Sequence, residues 1–60
     1  MDNLVIANFN IRINKNSFIK GNAYEYFSKE NGTFDVTTEE GTKQNFVFSE
    51  FDIFFTLLKN

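Results

Sequence analysis

The side chains of this 60-residue chain that could take part in catalysis are its serines and one adjacent pair of glutamates. Serine acts as a nucleophile only when a neighbouring base takes its proton, and the chain contains no histidine and no cysteine. Ser17, Ser28 and Ser49 have no activating partner close to them in the sequence. We therefore expect no serine nucleophile, and Ser49 is better explained as a turn or helix-capping residue.

Glu39 and Glu40 are the only paired carboxylates, and such a pair can act as acid and base in glycosidases. Both fall in a predicted hairpin loop, where water keeps them ionised. A chain of 60 residues rarely builds an enclosing pocket. The glycines occur singly, so no phosphate-binding loop is predicted, and the acidic residues lack the spacing of a calcium loop. The sequence thus predicts a protein that is not an enzyme, with no catalytic, cofactor-binding or metal-binding residues.

The net charge and the hydropathy pattern limit the kinds of binding partner that we expect. The net charge is −2, and the six basic residues form no stripe that could follow a phosphate backbone. No run approaches the ~20 apolar residues of a membrane-spanning helix, and the apolar run 4–7 is too short for a signal peptide. We predict a cytoplasmic protein that does not bind membranes, and the charge distribution disfavours nucleic-acid binding.

The elements that would position any site are strands around a central meander. The runs Glu30–Thr33 and Glu39–Thr42 each place glycine third, which is typical of a three-residue hairpin loop. The resulting register sets Tyr26 opposite Val36 and Phe34 opposite Phe46; a one-residue slip would move the apolar side chains to the wrong face. The predicted inner face consists of Tyr24, Tyr26, Phe34, Val36, Phe46 and Phe48.

The two ends of the chain are predicted to close over this meander. Residues 4–13 alternate apolar and polar side chains, which indicates one long first strand with a bend or bulge. Residues 14–17 have the composition of a turn, followed by a loop that tucks Phe18 or Ile19 over the core. Residues 49–59 fit a helix capped by Ser49, but they also fit a tight turn and a strand with Ile53, Phe55 and Leu57 inward.

The run from Phe18 to Phe51 resembles the small SH3-like barrel proteins of bacteria and phages. Lys20-Gly21-Asn22-Ala23-Tyr24 matches their opening Lys-Gly-x-x-Tyr motif, two glycine hairpins follow, and Ser49-Glu50-Phe51 matches their single 3₁₀ turn. The apolar tail after Phe51 is longer than in that family. The resemblance implies an all-β fold, a five-stranded SH3-like barrel forming one domain over residues 1–60; the alternative is an α+β fold in which a helix at 49–59 covers the meander.

The surplus apolar residues favour a binding function. In the strand alternative the first and last strands pair, and Leu4, Ile6, Phe54 and Leu58 share an outer face that indicates an interface. In the helix alternative, much of this surplus is buried between the helix and the sheet. We expect a protein–protein interaction module that forms a homodimer or binds a protein partner, for example a phage or mobile-element protein that modulates a host protein. The alternative is a nucleic-acid-associated barrel that stacks bases on Phe27 and Tyr24, although it would need a basic track that the chain lacks.

Overall fold

A computed structural model describes residues 3–58, and these residues are mostly β with one short helix. The elements in chain order are β1 (Leu4–Ala7), β2 (Ile11–Ile13), β3 (Asn16–Phe18), β4 (Ala23–Ser28), β5 (Thr33–Thr37), β6 (Lys43–Val47), α1 (Phe48–Phe54) and β7 (Phe55–Leu57). Five of the strands form one antiparallel sheet in the order β6-β5-β4-β1-β7, and β2 pairs with β3 in a separate hairpin.

The central meander has the register that the turn sequences predict. Tyr26 lies opposite Val36, and Phe34 lies opposite Phe46. Gly32 and Gly41 adopt φ angles of 84° and 86°, the positive values that the third position of each loop requires. The three-residue loops therefore set the paired apolar residues of the meander on their predicted face.

The N-terminal segment differs from the prediction of one long strand over residues 4–13. The backbone leaves the sheet after Ala7, and Ile11–Ile13 pairs instead with Asn16–Phe18. Asn14 makes the connecting turn with a φ of 55°, a conformation that asparagine tolerates better than most residues. The expected bend is thus a complete break, and the expected loop after it is half of a second hairpin that buries Phe18.

The C-terminal segment combines the two alternatives drawn from the sequence. Phe48–Phe54 is a helix and Phe55–Leu57 is a strand paired with β1, the first strand of the chain. Ser49 is not the N-cap; Val47 occupies that position without a side-chain hydrogen bond. Of the residues predicted to point inward in the strand, Phe55 is buried whereas Ile53 and Leu57 are exposed.

Asn8 fixes the change from helix to strand. Its backbone N–H donates to the carbonyl of Phe54 (2.8 Å), and its side-chain amide donates to the carbonyl of Ile53 (3.0 Å). Its side-chain oxygen accepts from the hydroxyl of Thr56 (2.7 Å). Because the last carbonyls of a helix have no partner within it, this one residue supplies partners for two of them and also holds the start of β7 against β1.

The core forms around the ring of Phe18. Its centroid lies 5.0 Å from Tyr24, 5.8 Å from Phe46 and 5.2 Å from Phe55. Phe46 and Phe55 belong to the two opposite edges of the sheet, and their rings are themselves 5.3 Å apart. The sheet is therefore strongly curved, and its edges meet through side chains; no β6–β7 hydrogen-bonded ladder joins them within residues 3–58.

Phe48 is the one inner-face residue whose prediction is wrong. It is the first residue of α1, 60% of it is exposed, and its ring lies against Phe34 with centroids 6.2 Å apart. The period-two alternation of β6 ends where the helix begins, so the strand pattern no longer determines where this side chain points.

Across residues 3–58, no helix is long and apolar enough to cross a membrane.

Candidate functional site

The adjacent carboxylates have structural partners on neighbouring elements. Glu39 accepts hydrogen bonds from the Tyr24 hydroxyl (2.6 Å) and the Asn22 amide (2.9 Å). Glu40 accepts from the Ser17 backbone N–H (2.8 Å) and from the Ser17 hydroxyl. The structure therefore brings together a serine and a carboxylate that lie 23 residues apart in the chain, a proximity that sequence spacing does not reveal.

The electrostatics of these carboxylates argue against acid–base chemistry. The hydrogen bond from Tyr24 lowers the pKa of Glu39, and the hydrogen bonds from Ser17 lower the pKa of Glu40. Burial, followed by the hydrogen bond to Glu39, raises the pKa of Tyr24. A carboxylate with a lowered pKa is a weaker base, so Glu40 is poorly suited to activate Ser17. These contacts tie the β5–β6 turn to β3 and β4.

Three of the four residues predicted to form an interface lie together on the outer face of the sheet, on β1 and directly after β7. Leu4 and Ile6 are half-buried neighbours on β1, and Ile6 lies opposite Thr56. Leu58 donates its N–H to the carbonyl of Leu4 (3.0 Å), which places it beside Leu4. We call Leu4, Ile6 and Leu58 the outer strip.

Phe54, the fourth predicted interface residue, lies elsewhere. Its ring packs edge-on against Phe9 (6.4 Å between centroids) and Phe46 (6.0 Å), so it covers the margin of the core. The strand alternative groups it with Leu58, because strand alternation points both side chains to the outer face. Phe54 is instead the last residue of α1, so strand alternation does not apply to it.

An apolar groove lies on the other side of β7, between that strand, α1 and the meander. It encloses about 390 Å³. Its floor is aromatic: Phe34 and Phe51 stack with centroids 4.2 Å apart and planes 11° from parallel, and Tyr26 lies 5.3 Å from Phe51. The residues that line this β7 groove are Tyr26, Phe34, Phe48, Phe51, Asp52, Phe55, Thr56 and Leu57.

The rim of the β7 groove carries apolar side chains that sequence reasoning does not place at a site. Phe48 is 60% exposed, and Leu57 is 49% exposed. Alternation assigns Leu57 to the core, and this residue does lie on the core side of β7, opposite Val5. It stays exposed because β7 is the last strand of the sheet, so no neighbouring strand covers it on that side within residues 3–58. Its position at a sheet edge is the information that the sequence pattern lacks.

The aromatics proposed for base stacking are not both accessible. Tyr24 is 6% exposed, and its hydroxyl is engaged by Glu39, so the expectation that it offers a stacking surface is wrong. Phe27 is exposed, but the ammonium group of Lys43 lies 4.4 Å from the centre of its ring. A base would have to displace this cation–π contact to stack there.

Neither metal ligation nor a known relative identifies the site. Within residues 3–58, no three acidic side chains come together in a group that could hold a metal ion. Comparison of the chain with models of protein families, with curated proteins and with solved structures finds no match.

Proposed function

We propose that this chain is a small, non-catalytic protein–protein interaction module of the SH3-like barrel type that associates into a homodimer. The observation that carries the proposal is apolar surface on both faces of the sheet at β1 and β7. The outer strip lies on the outer face, on β1 and directly after β7, and the β7 groove with Phe48 and Leu57 lies on the core side. A contiguous apolar patch on a small domain is typical of an interface.

The barrel part of the proposal rests on strand order and curvature. The meander is followed by a seven-residue α-helix, where the resemblance implies a single 3₁₀ turn, and then by a short last strand beside β1. Phe46 and Phe55, from the two edge strands, both pack on Phe18, so one core serves the whole sheet. The non-catalytic part rests on the lowered pKa values of Glu39 and Glu40 and on their engagement by neighbouring elements.

Sedimentation equilibrium of the full chain from low to high micromolar concentration tests the proposal. We expect a monomer–dimer equilibrium that Leu58→Ser weakens, because this change removes an exposed apolar side chain from the outer strip without altering the backbone. Ile19→Ser is the matched control, since Ile19 is exposed to a similar degree in the loop between β3 and β4. A strictly monomeric chain at high micromolar concentration would refute the proposed homodimer. The same surface would then have to serve a different protein, such as a host protein.

A further inference from the structure

The backbone of β7 has a bonded side and an open side. The N–H of Asn8 donates to the carbonyl of Phe54 (2.8 Å), and the N–H of Leu58 donates to the carbonyl of Leu4 (3.0 Å). In an antiparallel pair, alternate residues exchange hydrogen bonds with the neighbouring strand, so residues 54, 56 and 58 bond to β1. The N–H and the carbonyl of Leu57 therefore point away from β1. Since β7 is the last strand of the sheet, no strand within residues 3–58 lies opposite them.

The β7 edge also lacks the features that usually protect an open strand. Proteins block such edges with lysine, proline, a bulge or a covering element. The residues of β7 are Phe55, Thr56 and Leu57, none of them charged. The other edge strand, β6, contains Lys43. Of the two sheet edges, the β7 edge is therefore the one that can pair with a further strand.

A second copy of β7 fits this edge on both faces. Placed antiparallel with Leu57 opposite Leu57, it would exchange the hydrogen bonds that the open N–H and carbonyl groups need. The incoming Leu57 side chain would lie on the core side, at the mouth of the β7 groove, against the exposed ring of Phe48. On the outer face, Leu58 of each copy would lie beside Thr56 of the other, and the two outer strips would become continuous.

We infer that the homodimer forms by antiparallel pairing of the two β7 strands about a twofold axis at Leu57, an inference that rests on the proposed function and specifies its interface. The same patch serves both copies, which is the arrangement that twofold symmetry requires. The occupant is a second copy because β7 carries no charge and is complementary to itself in this register, with Leu57 opposite Leu57 on the core side and Leu58 opposite Thr56 on the outer face. A peptide selected by charge would instead be rich in lysine or arginine, since Asp52 is the one charged residue that lines the groove.

The size of this contact sets the expected affinity. A standard interface covers about 800 Å² per partner. That area is roughly a fifth of the 4261 Å² of accessible surface of the domain. A three-residue strand with the outer strip and Leu57 covers less than this. The dimer is therefore expected to be weak, with half-association at high micromolar concentration.

Amide hydrogen exchange on the full chain, followed by NMR at several concentrations, tests the pairing directly. When half of the chains are dimeric, the Leu57 amide should exchange about two-fold more slowly than in dilute monomer, because only the monomer leaves it open. The amides of Thr56 and Leu58 bond to β1 in both states, so their exchange should not follow dimerisation in this way. Leu57→Pro removes the outward N–H and leaves the β1 bonds in place, and we expect about ten-fold or greater loss of dimer affinity.

Val47→Pro is the matched control for the proline variant. Val47 is exposed to a similar degree on the opposite edge strand, and its φ of −73° already suits proline. We expect it to fold and to dimerise like the wild type. If Leu57→Pro fails to fold, Leu57→Lys takes its place, because it keeps the amide and adds a charge at the edge.

The outcomes separate the inference from the proposed function. Two results would overturn the pairing but not the interaction module. One is a dimer that persists in folded Leu57→Pro or Leu57→Lys. The other is exchange of the Leu57 amide that does not change with protein concentration although the chain associates. Failure of the wild type to associate at any accessible concentration overturns the β7 pairing and also the homodimer of the proposed function. Tight binding of a lysine-rich strand peptide to a monomeric chain, with protection of Leu57, would show that the edge accepts a heterologous strand and would likewise overturn the inference.

Discussion

Replacement of Asn8 by alanine should destabilise the protein, because this residue holds both α1 and β7. Asn8→Ala removes the hydrogen bond to the Ile53 carbonyl (3.0 Å) and the one from the Thr56 hydroxyl (2.7 Å), and it leaves the backbone bond to Phe54 intact. Each such bond contributes about 0.5–1.5 kcal/mol, and partial access of water favours the lower part of this range. We expect a loss of about 1–2 kcal/mol from a total stability of about 3–9 kcal/mol for 60 residues.

Urea and thermal unfolding at neutral pH measure this loss. The midpoint temperature should fall by about 4–8 °C for each kcal/mol. Asn3→Ala is the matched control, because Asn3 is an exposed asparagine at the start of the same segment. Asn8→Ala with a free energy of unfolding within about 0.3 kcal/mol of the wild type would refute the assignment of Asn8 as the support of the C-terminal segment.

A double-mutant cycle separates the two hydrogen bonds of Asn8. Thr56→Val keeps a branched side chain and removes only the hydroxyl, so it should cost about 1 kcal/mol in the wild type and almost nothing in Asn8→Ala.

Three further predictions address the turns, the core and the acidic loop. Gly41→Ala should cost about 1 kcal/mol by chemical unfolding, because its φ is 86°; since no atom lies within 4 Å of the added Cβ, a much larger loss would contradict an explanation based on the backbone alone. Phe18→Ala should cost about 3–5 kcal/mol and leave little folded protein by near-ultraviolet circular dichroism, whereas Phe48→Ala at the exposed start of α1 should remain folded; equal effects would contradict the assigned core. The lowered pKa values of Glu39 and Glu40 predict a contribution to stability that is present above the unfolded glutamate pKa and is lost as the pH falls through the folded pKa values. Replacing both residues by glutamine should therefore make stability less dependent on pH in the acid range. An unchanged pH dependence would contradict this assignment.

The meander was predictable in detail because its determinants are local. The loop glycines require positive φ, and the apolar alternation on either side allows only one register, so Tyr26–Val36 and Phe34–Phe46 pair as the sequence indicates. The break after Ala7 was foreseen only as a bend. The alternation of residues 4–13 is equally compatible with one strand or with two strands in different sheets.

The candidate site was predictable in part, for a different reason. The sequence singled out Leu4, Ile6 and Leu58 as apolar residues in excess of the core, and the structure places them side by side, on β1 and directly after β7. It also grouped Phe54 with them, yet that ring packs on Phe9 and Phe46. Whether an apolar side chain is in excess depends on how much core there is to fill, which sequence periodicity does not measure.

The sequence by itself thus determined the character of the domain: a histidine- and cysteine-free chain with an aromatic core and a meander whose two turns are specified by glycine. Only the tertiary structure decided how the C-terminal segment divides into α1 and β7. Helical and strand patterns are both present there, and hydrogen bonds from Asn8 fix where the helix ends and the strand begins. Asn8 lies 45 residues from Ile53, whose carbonyl it binds at the end of α1, and 48 residues from Thr56, whose hydroxyl it binds in β7. The same long-range pairing with β1 makes β7 the edge of the sheet and leaves the backbone of Leu57 open.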